Sequence, residues 1–275
     1  MIDWIIEPLQ YNFFLKGLLA GLMVASACGV LSGFIVWRGM AFIGDALAHA
    51  ILPGIVIAIM LGGPILIGAL AASIISVFAI GTLTNHRGFK EDTAIGVIFA
   101  GAFALGILLM NRIASFKDLS HILFGNILGV STFDLYLIIT VSLIVILMVV
   151  LFYKELLVTS FDSTHALAIG LSPSLIHYGF LILVASTTVI ATQTVGVVMV
   201  LALLVTPAAT SSLLVKELPK IITLSVLFST ISIIIGFYSS YYFNAPSGAT
   251  IVIVLTIFFL IAFCFTKIKN LKIWL

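Results

Sequence analysis

Charge is what this chain lacks most. Of its 275 residues only 8% are charged, against roughly 25% in a soluble domain, while 63% are hydrophobic. Mean hydropathy is +1.36. So few charges cannot clothe a water-facing surface. A soluble enzyme, a disordered protein and a nucleic-acid binder are excluded, and an all-α integral membrane protein remains. Cysteine is scarce too. Cys28 and Cys264 lie far apart in apolar runs, where they read as small buried hydrophobes and not as a disulfide or metal pair. A basic N-terminal cluster is missing, since Asp3 and Glu7 stand there, and the first apolar run exceeds a signal-peptide core, so no cleavable signal is expected.

Catalytic and nucleotide motifs are missing as well. The chain has no Gly-x-x-x-x-Gly-Lys-Ser/Thr loop, no Gly-x-Ser-x-Gly and no His-Glu-x-x-His. The hydrophilic stretches are too short for a nucleotide-binding fold. If ATP drives this protein, a separate chain must bind it.

Long apolar runs are what the sequence has in abundance. A membrane helix needs roughly 20 mostly apolar residues. Nine runs qualify, over 13–37, 43–61, 64–84, 92–111, 133–153, 174–191, 194–215, 221–240 and 249–267. The 194–215 run contains Gly196 and Pro207, so eight full spans is the alternative. With nine spans and a cytoplasmic C-terminus, Arg38, Arg87, Lys90, Lys154, Lys216, Lys220, Lys267, Lys269 and Lys272 fall inside. Only Lys16, Arg112 and Lys117 fall outside, as the positive-inside bias requires. No soluble domain or internal repeat interrupts this single transmembrane unit over 1–275. The first twelve residues read equally as a short interfacial helix or a frayed end.

The ten acids sort by place. Nine lie at termini, loops or loop edges, and Asp45 alone falls within a span. His49 is four residues on, in Gly44-Asp45-Ala46-Leu47-Ala48-His49-Ala50, so both side chains share one helical face. An intramembrane Asp costs about 2.5–3.5 kcal/mol on insertion scales, which points to function. A carboxylate and an imidazole suit Mn²⁺, Fe²⁺ or Zn²⁺ better than Mg²⁺ or Ca²⁺. Two ligands bind weakly, as a pathway needs, and a two-fold dimer would supply four. A proton relay and a helix-pinning hydrogen bond are the competing readings. His121 lies in an outer segment, and Thr192-Gln193-Thr194 at a helix break. The inner stretch 159–173 reads as a short amphipathic helix with Asp162 or Ser163 at its start, Gly170 at its end and Pro173 beyond. Phe161, Ala166 and Ile169 would give it a small apolar face. It fits a docking element for a motor subunit, or a loop helix lying on the membrane.

Several segments in order resemble the permease subunit of metal-ion ATP-binding-cassette importers, the group for manganese, zinc and iron. They are Arg38-Gly39-Met40, Gly44 to Gly54, Asp92-Thr93-Ala94-Ile95-Gly96, Asp118 to Leu128, Thr206-Pro207-Ala208-Ala209-Thr210, and Ser160-Phe161-Asp162 with Ala168-Ile169-Gly170. The resemblance implies a homodimeric permease in the bacterial cell membrane, two ATPase subunits inside, and an extracytoplasmic solute-binding protein that delivers the metal. It implies that Asp45 and His49 form the cation site. It implies that Ser160, Phe161, Asp162, Ala168 and Gly170 belong to an ATPase-coupling helix. His121, Gln193, Thr206 and Pro207 are candidates for the pathway or its gate. The His121 and Phe124-Gly125-Asn126 segment looks closest to the manganese-type members. The cargo is then Mn²⁺, with Zn²⁺ or Fe²⁺ as alternatives, and no permanently bound cofactor or chemistry on this chain is implied. A self-contained proton-coupled metal carrier and a non-transport membrane scaffold are the other classes. The first would want more intramembrane acids than Asp45.

Overall fold

The computed structural model describes residues 3–84, 90–111 and 129–271. Among them the chain is helical throughout, with no strand. The helices are α1 (Asp3–Leu9), α2 (Asn12–Trp37), α3 (Ile43–Ala50), α4 (Leu52–Met60), α5 (Ile65–Thr84), α6 (Glu91–Met110), α7 (Thr132–Leu151), α8 (Tyr153–Phe161), α9 (Ser163–Ala168), α10 (Pro173–Val195), α11 (Val197–Leu214), α12 (Leu218–Phe243) and α13 (Ser247–Leu271).

Nine membrane-length apolar crossings occur among the described residues, with α3 and α4 counting together as one. Their bounds follow the apolar runs closely. The eight-span alternative falls away, because α11 runs whole from Val197 to Leu214. Pro207 sits within it without ending it. The break lies earlier, at Gly196, whose φ of 90° separates α10 from α11. Hydrogen bonding sets other ends. Ser131 Oγ accepts from the Asp134 N–H at 3.1 Å, the Ser131 N–H donates to Asp134 Oδ2 at 3.2 Å, and this reciprocal cap starts α7.

Helix α2 is the centre of the bundle, packed by α7, α10, α11 and α12. Its buried side carries Gly17, Ala20, Gly21, Ala25, Cys28 and Gly29, which let neighbouring backbones approach closely. A Cβ on Gly29 would lie 2.8 Å from the Val226 Cα of α12. The same logic joins α4 to α5, where a Cβ on Gly54 would fall on the carbonyl oxygen of Gly68. Large apolar side chains on α5, α6, α7 and α13, such as Ile75, Leu108, Val150 and Ile261, are exposed and suited to lipid. One expectation fails here. Cys28 is buried, but Cys264 is exposed on α13; both are free.

The helix ends gather on two sides as nine crossings demand. On one side the end of α2 (Trp37, with Arg38 just beyond), Thr84 ending α5, Glu91 starting α6, Thr159 and Ser160 ending α8, and Pro173 and His177 opening α10 surround a polar hollow of about 420 Å³. On the other, Glu7, Phe13 and Phe14 meet Ser240, Tyr241, Asn244 and Pro246. Lys16, near the start of α2, donates to Thr132 Oγ1 at the start of α7, at 2.7 Å.

Candidate metal site

The candidate site stands on a deliberately short helix. After α2 the chain turns through Gly39, whose φ of 74° few other residues tolerate. The Met40 N–H reaches back to the Ile35 carbonyl at 3.0 Å, and α3 starts three residues later. Helix α3 ends after Ala50 because Pro53, in the first turn of α4, has no N–H to continue the ladder. Asp45 therefore lies in the first turn of α3, where the helix dipole favours a carboxylate, and His49 lies in its last turn.

The two side chains lie against one another. His49 Nδ1 lies 2.9 Å from the carbonyl oxygen of Asp45. A carbonyl only accepts, so Nδ1 carries the proton and Nε2 keeps its lone pair in the neutral ring. Asp45 Oδ1 is 3.4 Å from the same Nδ1. Both side chains are half-buried, 21% exposed for His49 and 33% for Asp45, so neither is sealed in the core. Helix α6 fixes the imidazole plane. Phe99 and Phe103 meet it edge-on with centroids 5.5 and 5.2 Å away, and stack on one another at 5.9 Å. Gly44 leaves room for α11, since a Cβ there would lie 2.6 Å from Leu204 Cδ1.

Among the described residues, Asp45 and His49 stand together without a third His, Cys, Asp or Glu side chain. An apolar hollow of about 440 Å³ begins one residue away at Ala50 and runs past Pro53, Gly54, Ile57 and Ala102. Its lining offers the Ser76 hydroxyl and no carboxylate or imidazole.

The remaining sequence candidates are scattered. His121 lies outside the described residues, as does the side chain of Gln193. Pro207 is buried in α11, and the Thr206 carbonyl accepts from Thr210 Oγ1 at 2.7 Å. Thr192 is buried and its hydroxyl donates into its own helix, to the Thr188 carbonyl at 2.8 Å. In the inner segment, the Asp162 carboxylate caps α9, accepting from Thr164 N–H at 2.8 Å and His165 N–H at 3.0 Å. The His165 bond in particular holds this exposed carboxyl below its ordinary value. Gly170 follows with φ 85°. The apolar face differs from expectation. Ala166 is buried, and the exposed apolar residues are Phe161, Leu167 and Ile169.

Other groupings emerge only from the fold. Phe99 and Phe103 are one pair. Arg38, Glu91 and His177 are another group, with His177 Nδ1 3.6 Å from Glu91 Oε1. No spacing in the sequence announces them, because their partners lie on distant helices.

The ABC 3 transport family matches residues 10–266. A manganese transport system membrane protein, MntC, of Listeria monocytogenes is 46% identical over 96% of this chain and 94% of its own length. A probable iron transport system membrane protein of Haemophilus influenzae is 41% identical over 98% of this chain and 99% of its own. Among solved structures, PsaBC from Streptococcus pneumoniae in complex with Fab superposes with a TM-score of 0.84 at 37% identity, covering 96% of this chain and 95% of the matched chain.

Proposed function

The chain belongs to the ABC 3 transport family, and from that premise we propose that it is the permease of an ATP-driven importer of divalent transition-metal ions, manganese foremost. The observation that carries the reading is the Asp45–His49 pair, a carboxylate and an Nε2 lone pair on one short helix. Such a set favours borderline ions over Mg²⁺ and Ca²⁺. Relatives named for manganese and for iron support that class of cargo.

Because the described residues of one chain bring no third such side chain to Asp45 and His49, the working site is formed by a two-fold homodimer that brings both pairs to a common axis. A solute-binding protein delivers the ion from outside. Asp45 and His49 replace part of its hydration shell, and weak binding lets it leave again. ATP is bound by two copies of a separate ATPase chain, which dock on the segment 159–173. Their motion switches the spans between outward and inward access. His121, Gln193, Thr206 and Pro207 are assigned to the pathway or its gate by resemblance alone. The whole of 1–275 is one permease unit.

The test is uptake of radioactive manganese into proteoliposomes holding the permease, its ATPase and the loaded binding protein. Uptake requires ATP and all three chains, and excess Zn²⁺ or Fe²⁺ competes according to the true cargo. Uptake by the permease alone under a pH gradient, without ATP, would overturn the reading in favour of a proton-coupled carrier.

A further inference from the structure

We propose that Arg38 is the positioning residue that carries motion of α8 and α9 to the helix bearing Asp45 and His49. The proposal rests on the reading of 159–173 as the ATPase-docking segment.

Arg38 stands just past the end of α2 and grips the last turn of α8. Its Nε donates to Ser160 Oγ at 2.9 Å. Its Nη2 donates to Thr159 Oγ1 at 3.2 Å and to the Leu156 carbonyl at 3.5 Å. The guanidinium carbon lies 4.7 Å from the centre of the Phe180 ring on α10. Both hydroxyls have already spent their protons on the α8 backbone, Thr159 on Glu155 at 2.8 Å and Ser160 on Leu156 at 2.5 Å. They present only lone pairs, so the contact needs several N–H groups in one plane. Arginine supplies that fork and lysine does not. The Trp37 and Phe161 rings pack beside it, with centroids 4.8 Å apart.

The grip has a consequence on each side. The residue after Phe161 is Asp162, whose carboxylate caps α9. The residue after Arg38 is Gly39, and the chain then enters α3 through the Met40-to-Ile35 bond and an Ile43 N–H bond to Met40 at 3.1 Å. Arg38 and Asp45 are thus joined by one tight hydrogen-bonded turn. A push on α9 that shifts α8 against α2 must break the Arg38 bonds or turn α3. Turning α3 moves the carboxylate and the imidazole together, against the Phe99 and Phe103 rings.

The experiment uses the complete importer in proteoliposomes and reads manganese taken up per ATP hydrolysed. Arg38→Lys and Arg38→Ala are expected to keep ATPase recovery and basal hydrolysis, with uptake per ATP lowered roughly five-fold or more. A Thr159→Val, Ser160→Ala double variant lowers it similarly, and adding Arg38→Ala to that pair changes it by less than about two-fold. Wild-type uptake per ATP in Arg38→Lys, or fully additive losses, would overturn the proposal. So would loss of ATPase recovery in Arg38→Lys, which would make Arg38 a tether of the fold. The underlying docking reading fails separately, if Leu167→Asp leaves ATPase recovery unchanged.

Discussion

His49 is held by three different contacts, each with a separate effect. The Asp45 carbonyl fixes its tautomer, the Asp45 carboxylate lies beside the protonated nitrogen, and two phenylalanine edges fix its plane. Asp45→Asn and His49→Ala should therefore each lower ATP-driven manganese uptake roughly ten-fold or more, with the permease still recovered in its complex. Phe103→Leu should cost less, because the tautomer and both proposed ligands remain; a few-fold loss in the same uptake assay is expected. Asp45 and His49 were legible in the sequence because they are rare there, one acid and its i+4 histidine among apolar residues. Phe99 and Phe103 were not, since α6 is apolar all round and gives no periodic signal of which face meets α3. Arg38 was visible as an inner loop-edge charge and within the Arg38-Gly39-Met40 segment, but its partners were not, since they lie 118 to 122 residues further on.

Helices in this chain were easy to foresee and their junctions less so. Length and hydropathy place the spans, because a crossing must satisfy its own backbone hydrogen bonds. The split of the second span into α3 and α4 has one clear cause in Pro53, yet a proline within a run is no sure break. Pro207 sits inside α11 and leaves it whole. Close packing of α4 on α5 depends on glycines facing each other. Gly54→Val should lower stability by about 1–3 kcal/mol, since the added atoms meet the Gly68 carbonyl and not a flexible side chain. Thermal unfolding in detergent, followed by loss of the monodisperse species, measures it. At α9, of the two expected caps Asp162 and Ser163 it is Asp162 that caps the start, and Gly170 follows the end, because capping chemistry is local; residues 159–161 belong instead to α8. The apolar face was misjudged, because which side of a six-residue helix meets the bundle is set by α8 and α10. Asp162→Ala should reduce ATPase recovery in pull-downs at pH 7. The native carboxyl sits below its usual range, so its contribution is present above that range and is lost only as pH falls through the lowered value. The wild type should therefore keep its partner across pH 6–8.

At the scale of the molecule, this is a multi-pass protein of the bacterial cell membrane built around α2. Scarcity of charge was enough to show the solvent, and the two groups of helix ends agree with the sides to which the basic residues sort. Single cysteines in a Cys28→Ala, Cys264→Ser background check the orientation. Glu7→Cys should react with an impermeant maleimide in whole cells, and Ser163→Cys only after the membrane is opened. The assembly was least legible, because nothing in the sequence of one chain fixes how copies would come together; the proposed site draws its other half from a second copy. The most direct measurement of the central claim is the manganese content of the purified permease after equilibrium dialysis, by mass spectrometry of the metal per chain. The account predicts one ion per two chains, lost in both Asp45→Asn and His49→Ala. One ion per chain, or an ion retained by either variant, would contradict it.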